Sequence, residues 1–293
     1  MSIVDILMNK KKPVLSFELF PPRDEKAAVK LEKIIQRLSE LQPDFVSVTF
    51  GAGGSTREGS YRLVESLKRD VGCEVVAYFA GYGLGPEEIT STLDAYKELG
   101  VETLLVVRGD MPEDPGEFKP HPDSFAHASS LLEFIRPKYD FCMGVAAYPE
   151  SHIEAESREK DLEYLKLKVD LGADYIITNY CYDNKYYFEF VERCQEKGIT
   201  LPIIPGVMPI YSPKMMENLA KLCGATITDE IRQDLADLPD GDKAAVLDYG
   251  IEFAYQQCKG LLDAGVPGVH IYTMDRSKTV STIVTRLRNE GYL

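Results

Sequence analysis

Short β-rich runs alternate with longer amphipathic stretches from one end of the chain to the other, and most of these runs are apolar on both faces. Together they predict an α/β protein built as a (β/α)8 TIM barrel, because parallel strands walled in by helices read as continuous apolar runs. The count is the third observation. Eight such runs recur at mostly regular spacing, whereas a doubly wound open sheet usually stops at about five to seven strands.

The opening residues Met1–Lys12 carry a short apolar run (Ile3, Val4, Ile6, Leu7, Met8) followed by three lysines. That is the reverse of the secretory order, and it reads as an N-terminal helix ahead of the first strand. The predicted strands are Val14–Phe20, Phe45–Phe50, Glu74–Phe79, Thr103–Arg108, Cys142–Tyr148, Tyr175–Tyr180, Ile203–Val207 and Val269–Thr273. Between them, Glu25–Leu41, Ser60–Arg69, Pro86–Leu99 and Lys160–Leu171 are amphipathic at helical period. Pro86 with Glu87 and Glu88 suits a first turn, and Gly100, Gly172 and Gly265 follow apolar runs as stops. The one long interval, between the seventh and eighth strands, holds extra helices at Pro213–Cys223, Asp229–Leu235 and Lys243–Ala264, with an acidic turn at Leu238–Asp242. A chain of 293 residues could hold one large domain or two small ones. No low-complexity linker interrupts this one, so residues 1–293 are expected to form a single catalytic barrel domain.

Composition narrows the function. A net charge of −14 with no segregated basic patch argues against nucleic acid, although local lysines could still hold a small anion. No apolar run approaches the ~20 residues that span a bilayer. The 6 cysteines contain no CxxC pair and read as reduced thiols of a cytoplasmic protein, and the 4 histidines lack ligand spacing, so no metal site is expected.

In such a barrel the residues just past each strand gather around one mouth. The polar groups there are Glu18, Thr49, Tyr78, Arg108 with Gly109 and Asp110, Tyr148 with His152, Asn179 with Tyr180 and Asp183, and Tyr272 with Arg276. Glu18 stands between apolar neighbours, where burial would raise its pKa and make it a general-acid candidate; a structural pairing with Arg23 or a lysine is the alternative. Asp110 ends its strand as a candidate polar group or as the cap of the next turn. Gly51-Ala-Gly-Gly-Ser resembles a phosphate-cradling loop but lacks the Gly-Lys-Ser/Thr closure, and Gly81-Tyr-Gly-Leu-Gly has the wrong dinucleotide spacing; both can be turn glycines. Tyr148, Tyr180, Tyr182 and Tyr272 could stack on a flat heteroaromatic ligand or simply pack the wall.

Several of these segments also carry longer motifs. They are Ser16-Phe-Glu-Leu-Phe-Pro-Pro-Arg, Val46-Ser-Val-Thr-Phe-Gly-Ala, Arg108-Gly-Asp and Val145-Ala-Ala-Tyr-Pro-Glu-Ser-His-Ile-Glu-Ala. Asp161-Leu-x-x-Leu-Lys-x-Lys-Val-Asp-x-Gly-Ala, Ile204-Pro-Gly-Val-Met-Pro and Ile271-Tyr-Thr-Met-Asp-Arg complete the series. In this order they resemble the methylenetetrahydrofolate reductases of one-carbon metabolism and methionine biosynthesis, in their short prokaryotic-type form.

The resemblance implies a flavoprotein oxidoreductase that reduces 5,10-methylenetetrahydrofolate to 5-methyltetrahydrofolate by ping-pong hydride transfer, with FAD (or FMN) as cofactor and NADH or NADPH as co-substrate. It implies catalytic roles for Glu18, as general acid, and Asp110. It implies cofactor contacts at Thr49, Phe50, Ala52, Tyr78, Arg108, Gly109, Asp110, Tyr148, His152, Ala155, Asp161 and Lys168, and contacts to the reduced folate at Glu18, Asp110, Asn179, Tyr180 and Arg276. Partners are expected to be a second copy of the chain or electron-transfer subunits. Three motifs depart from the family: Tyr78-Phe-Ala-Gly replaces a His-Leu-Thr-Cys, Asn179-Tyr-Cys-Tyr-Asp a Gln-Phe-Phe-Phe-Asp, and Tyr211-Ser-Pro a Ser-Asn-Phe. A flavin-free relative with direct hydride transfer, and a folate- or flavin-binding subunit of a larger electron-transfer complex, stay open beside the main reading.

Overall fold

The computed structural model describes the chain apart from residues 51–53 and 110–118 and the side chains of residues 54–56. Ala52 and Asp110, two of the expected site residues, and most of the 51–55 glycine loop therefore lie outside the described residues. Eight parallel strands close into a barrel in chain order: β1 (Val14–Leu19), β2 (Phe45–Val48), β3 (Glu74–Ala80), β4 (Thr103–Val107), β5 (Cys142–Ala147), β6 (Tyr175–Tyr180), β7 (Ile203–Val207) and β8 (Gly268–Tyr272). The helices are α1 (Ile3–Asn9), α2 (Glu25–Ser39), α3 (Gly54–Asp70), α4 (Pro86–Glu98), α5 (Ala128–Ile135), α6 (Arg158–Asp170) and α7 (Asn184–Glu196). α8 (Pro213–Cys223), α9 (Asp229–Ala236) and α10 (Lys243–Asp263) fill the long interval, and α11 (Ser277–Asn289) follows β8.

Strand alternation builds two apolar layers. On β1, Leu15, Phe17 and Leu19 face the helices and join the large outer core with Leu31, Ile34 and Leu38 of α2. Val14 turns the other way, into an interior cluster with Phe45, Val76, Leu105, Tyr175, Ile177 and Ile204. Helix α1 closes the barrel floor, packing Ile3, Ile6 and Leu7 against that cluster. A reciprocal cap makes so short a helix viable: the Ser2 hydroxyl accepts from the Asp5 N–H (3.2 Å), and the Asp5 carboxylate accepts from the Ser2 N–H (3.0 Å). Above the mouth, the extra helices cover a third cluster that includes Tyr180, Tyr182, Met208, Ile210 and Met216.

Several strands are shorter at the mouth end than the apolar runs suggest. Phe20, Thr49, Phe50, Arg108, Tyr148 and Thr273 lie outside the strands, although the Thr49 N–H still donates to the Leu19 carbonyl at 3.1 Å. β3 reaches Ala80, one residue further than expected, and β6 shifts register between Ile177 and Tyr180. Helix α6 starts two residues early because the Ser157 hydroxyl accepts from the Lys160 N–H at 3.2 Å.

The interior leaves no room at Gly144, where a Cβ would stand 2.2 Å from Cζ of Tyr175. Tyr175 is fully buried and its hydroxyl donates to the Leu104 carbonyl at 3.1 Å, so the ring cannot move aside. Gly144→Ala is expected to destabilise the protein by about 1–3 kcal/mol through overpacking. A denaturant midpoint equal to that of the wild type would contradict this packing.

Candidate active site

The polar core of the barrel begins beneath the mouth. Ser16 of β1 pairs in register with His270 of β8, and the Ser16 hydroxyl lies 2.8 Å from His270 Nδ1. The Ser47 hydroxyl is 3.5 Å from the other ring nitrogen, and the imidazole stacks on Phe45 with centroids 5.9 Å apart. Burial pushes the His270 pKa down to about 3, so this ring is neutral at physiological pH.

One pleat higher, Glu18 pairs with Tyr272 across the β1–β8 seam. Glu18 is 5% exposed, and its carboxylate Oε2 accepts a 2.6 Å hydrogen bond from the Tyr78 hydroxyl. Desolvation raises its pKa to about 7; the Tyr78 hydrogen bond works against that rise and the nearby charge of Asp275 adds to it. Among the described residues Glu18 has no ion-pair partner, so the structural pairing with Arg23 or a lysine is not formed. The Glu18 backbone is pinned by the Thr273 hydroxyl, which donates to its carbonyl at 2.7 Å. Tyr272 donates to the Thr178 carbonyl at 3.0 Å, and its ring fits because position 206 is glycine: a Cβ there would sit 2.5 Å from the ring. The turn after β8 puts Met274 (φ 46°) and Asp275 (φ 56°) in the left-handed region, an uncommon conformation for non-glycine residues. One carboxylate oxygen of Asp275 is buried without a hydrogen-bond partner among the described residues.

Beside this core, a cavity of about 810 Å³ opens among the ends of β2 to β5 and α6. The ends of β2 and β3 contribute Thr49, Phe50 and Tyr78, so Tyr78 touches both the cavity and Glu18. From β4 come Arg108 and Gly109. Gly109 has φ 85°, and a Cβ on it would stand 2.8 Å from Cβ of Ala80, so the close approach of these strand ends requires glycine. β5 and the loop after it supply Tyr148, His152 and Ala155, with the His152 ring edge-on to Tyr148 at 4.6 Å. His152 Nδ1 accepts from the Glu154 N–H at 3.1 Å. Arg108 pairs with Glu154 at 2.5 Å on the rim.

Helix α6 contributes Asp161 and Lys168. The Lys168 ammonium donates to the Ala146 carbonyl at 2.7 Å, and desolvation lowers its pKa to about 8 against the opposing charge of Asp161. Burial raises the Asp161 pKa, while the His152 N–H it accepts at 3.1 Å and the charge of Lys168 pull it back down.

Ten of the twelve expected cofactor positions thus line one cavity, and Ala52 and Asp110 lie outside the described residues. Asn179, Tyr180 and Arg276 are not brought to that cavity. Asn179 sits at the β6 irregularity with its side-chain oxygen accepting from the Tyr180 N–H at 2.8 Å, and the Tyr180 ring is edge-on to Tyr272 at 6.0 Å. The Arg276 guanidinium lies 5.6 Å from the centre of the Tyr211 ring. The sequence reading missed Arg57, Tyr82, His127, Tyr164 and Leu167 on the cavity wall. Tyr164 had a usable signal, since 161, 164 and 168 share one helical face. Arg57 and His127 had none, because only the closed fold brings them there.

A sequence model of the methylenetetrahydrofolate reductase family matches residues 3–288. The chain is 35% identical over 264 residues to the 5,10-methylenetetrahydrofolate reductase of Escherichia coli (strain K12), covering 90% of this chain and 87% of that protein. It is 35% identical over 301 residues to methylenetetrahydrofolate reductase (NADH) 1 of Arabidopsis thaliana, covering 98% of this chain and 51% of that protein. The chain thus spans about half the length of the curated plant relatives it matches. Among solved structures, a Clostridium thermocellum protein described as binding two copies of 5-methyl-5,6,7,8-tetrahydrofolic acid aligns with a TM-score of 0.64, covering 98% of this chain and 99% of that one. Its identity to this chain is 17%, so that likeness is one of fold.

The Glu18 shift has a thermodynamic consequence. Its proton affinity is higher in the folded state than in the unfolded chain, so the folded form holds an extra proton between about pH 4.5 and 7. The stability this contributes is complete at low pH and is lost as pH rises through that window. Wild type is expected to lose about 3 kcal/mol relative to Glu18→Gln between pH 4 and 8. Parallel pH–stability curves from urea unfolding would contradict the burial of an acid at this position.

Proposed function

The chain belongs to the methylenetetrahydrofolate reductase family, and from that premise we propose that it reduces 5,10-methylenetetrahydrofolate to 5-methyltetrahydrofolate, with a flavin in the cavity beside α6 and Glu18 as general acid. The observation that carries the proposal is the pairing of Glu18, an acid whose pKa is raised to about 7, with Tyr78, which also lines the cavity. This reading treats residues 1–293 as one catalytic barrel acting in the cytoplasm. Six free thiols suit that reducing compartment.

The cavity suits a flavin on the chemistry of its donors. Its volume of about 810 Å³ is that of a small-molecule site. Lys168 and Arg108 bring positive charge to an acidic protein, and the buried ammonium of Lys168 would offset the phosphates. The close approach at Gly109 and the small side chains of Thr49 and Ala155 would leave room for a flat ring system, with Tyr148 and His152 against it. A flavin bound there supplies hydride transfer between a nicotinamide donor and the one-carbon unit of the folate, in two alternating half-reactions. FAD is the favoured form, and the NADH in the printed names of the plant relatives supports that donor.

Glu18 does what the substrate needs first. Protonation at N10 of the folate opens the five-membered ring and leaves an iminium carbon that accepts hydride. A carboxyl with a pKa of about 7 is available in its protonated form at neutral pH, and it yields the proton more readily than a lysine would. The resulting carboxylate keeps the Tyr78 hydroxyl as a donor. Asn179, Tyr180 and Arg276, on the β6 to β8 side of Glu18, together with Asp110, are proposed as folate contacts.

Anaerobic half-reactions test this. Glu18→Gln is expected to slow folate-dependent oxidation of the reduced flavin by about 10²–10⁴-fold while leaving flavin reduction by NADH within about threefold. Equal loss of both would show that Glu18 has a structural role only. The wild-type folate half-reaction should be present at low pH and fall as pH rises through about 7, because the acid must be protonated. Lys168→Met is expected to weaken flavin binding by about tenfold or more, read as loss of the absorbance near about 450 nm on dilution. Unchanged flavin retention would remove Lys168 from the cofactor site.

A further inference from the structure

Glu18 is approached from three elements. The Tyr78 hydroxyl comes from β3, the Tyr272 ring from β8, and the Asp275 carboxylate from the turn that follows β8. Of these, only Tyr78 makes a direct hydrogen bond to the carboxyl among the described residues. Burial holds the Tyr78 pKa well above its ordinary value, so the phenol stays protonated and acts as a donor. The support beneath it is a buried polar group on β1, β2 and β8. His270 is neutral and carries a single ring proton. The Ser16 hydroxyl lies 2.8 Å from Nδ1 and 3.4 Å from the Val269 carbonyl, and the Ser47 hydroxyl lies 3.5 Å from both Nε2 and the Phe17 carbonyl. Ser47 in turn hydrogen-bonds to the Tyr78 hydroxyl, whose own hydrogen then has one acceptor, Oε2 of Glu18 at 2.6 Å.

We propose that Tyr78 is a positioning residue that acts through Glu18: its hydroxyl, fixed from below by Ser47, His270 and Ser16, occupies Oε2 and leaves Oε1 to carry the transferable proton. The inference rests on the reading of Glu18 as the acid. It also gives the first of the three motif departures a physical role, because a phenol stands where the family motif has an imidazole. A phenol that stays protonated donates to the carboxyl at every pH at which the protein works, whereas an imidazole would titrate in the same range.

The test uses the flavin-loaded protein and compares Tyr78→Phe with wild type across pH. Removing the hydroxyl removes the donor that favours the carboxylate, so the proton affinity of Glu18 rises. The falling limb of the folate half-reaction should move to higher pH by about one unit, a tenfold change in the protonation equilibrium. The rate on the low-pH plateau should fall while the folate KM stays within about twofold, because orientation is lost and binding is not. Incorporating 3-fluorotyrosine at position 78 makes the phenol a stronger donor and should move the limb the other way, which covers the case of a Tyr78→Phe protein that folds poorly. An unmoved limb in both variants, with rates lowered equally at all pH, would overturn the proposal.

A second readout needs no catalysis. The carbonyl stretch of protonated Glu18, identified in infrared difference spectra by its loss in Glu18→Gln, should rise in frequency in Tyr78→Phe as Oε2 loses its donor. A shifted band in a protein that reduces no folate would overturn the functional reading and leave the positioning role standing. Normal folate reduction with neither band nor limb displaced would overturn the positioning role alone.

Discussion

The structure turns on a carboxyl group held inside a closed ring of strands with a phenol as its hydrogen-bonding neighbour. An ionised carboxylate taken out of water is strongly unfavourable unless it is paired, so Glu18 keeps its proton to about pH 7. That depends on barrel closure. The β1–β8 seam puts Glu18 beside Tyr272 and lets Thr273 grip the Glu18 backbone, and Gly268 permits the seam because a Cβ there would come within 2.3 Å of the Val14 carbonyl. The floor depends on α1, whose apolar face closes the interior from below. A barrel left open at either place would admit water, and the acid would return to an ordinary carboxylate.

The two halves of the site follow different rules. Glu18, Tyr78, His270 and Ser16 stand on strands, where position is set by the ladder to fractions of an ångström. The cavity wall is built from strand ends, the loop after β5 and one face of α6, which bring cations together in a chain whose net charge is −14. Global repulsion of anions and local attraction coexist because Lys168 is half-buried and its field is screened less than that of the acidic residues, most of which are on the surface.

Much of this was legible in the sequence. Apolar runs located the eight strands, and short helical crossovers between parallel strands bring each one beside the next in chain order. Glu18 was legible as an anomaly, a carboxylate among Leu15, Phe17 and Leu19. Strand-end position singled out Thr49, Tyr78, Arg108, Gly109, Tyr148 and His152, and motif resemblance added Phe50, Ala155, Asp161 and Lys168. Other features were hidden. The Tyr78–Glu18 contact joins residues 60 positions apart, and the Ser16–His270 contact residues 254 apart, so both depend on strand register, which no local window encodes. The exact strand ends were overestimated, because Thr49 and Phe50 keep β propensity after the ladder has stopped.

The central claim is that position 18 holds a buried acid whose pKa is raised to about 7. The most direct measurement is a carbon-13 NMR titration of the side-chain carboxyl carbons in protein labelled with [5-13C]glutamate, with the Glu18 signal assigned by its absence in Glu18→Gln. The account predicts one resonance with a midpoint near pH 7. A midpoint near pH 4.5, the ordinary glutamate value, would contradict it.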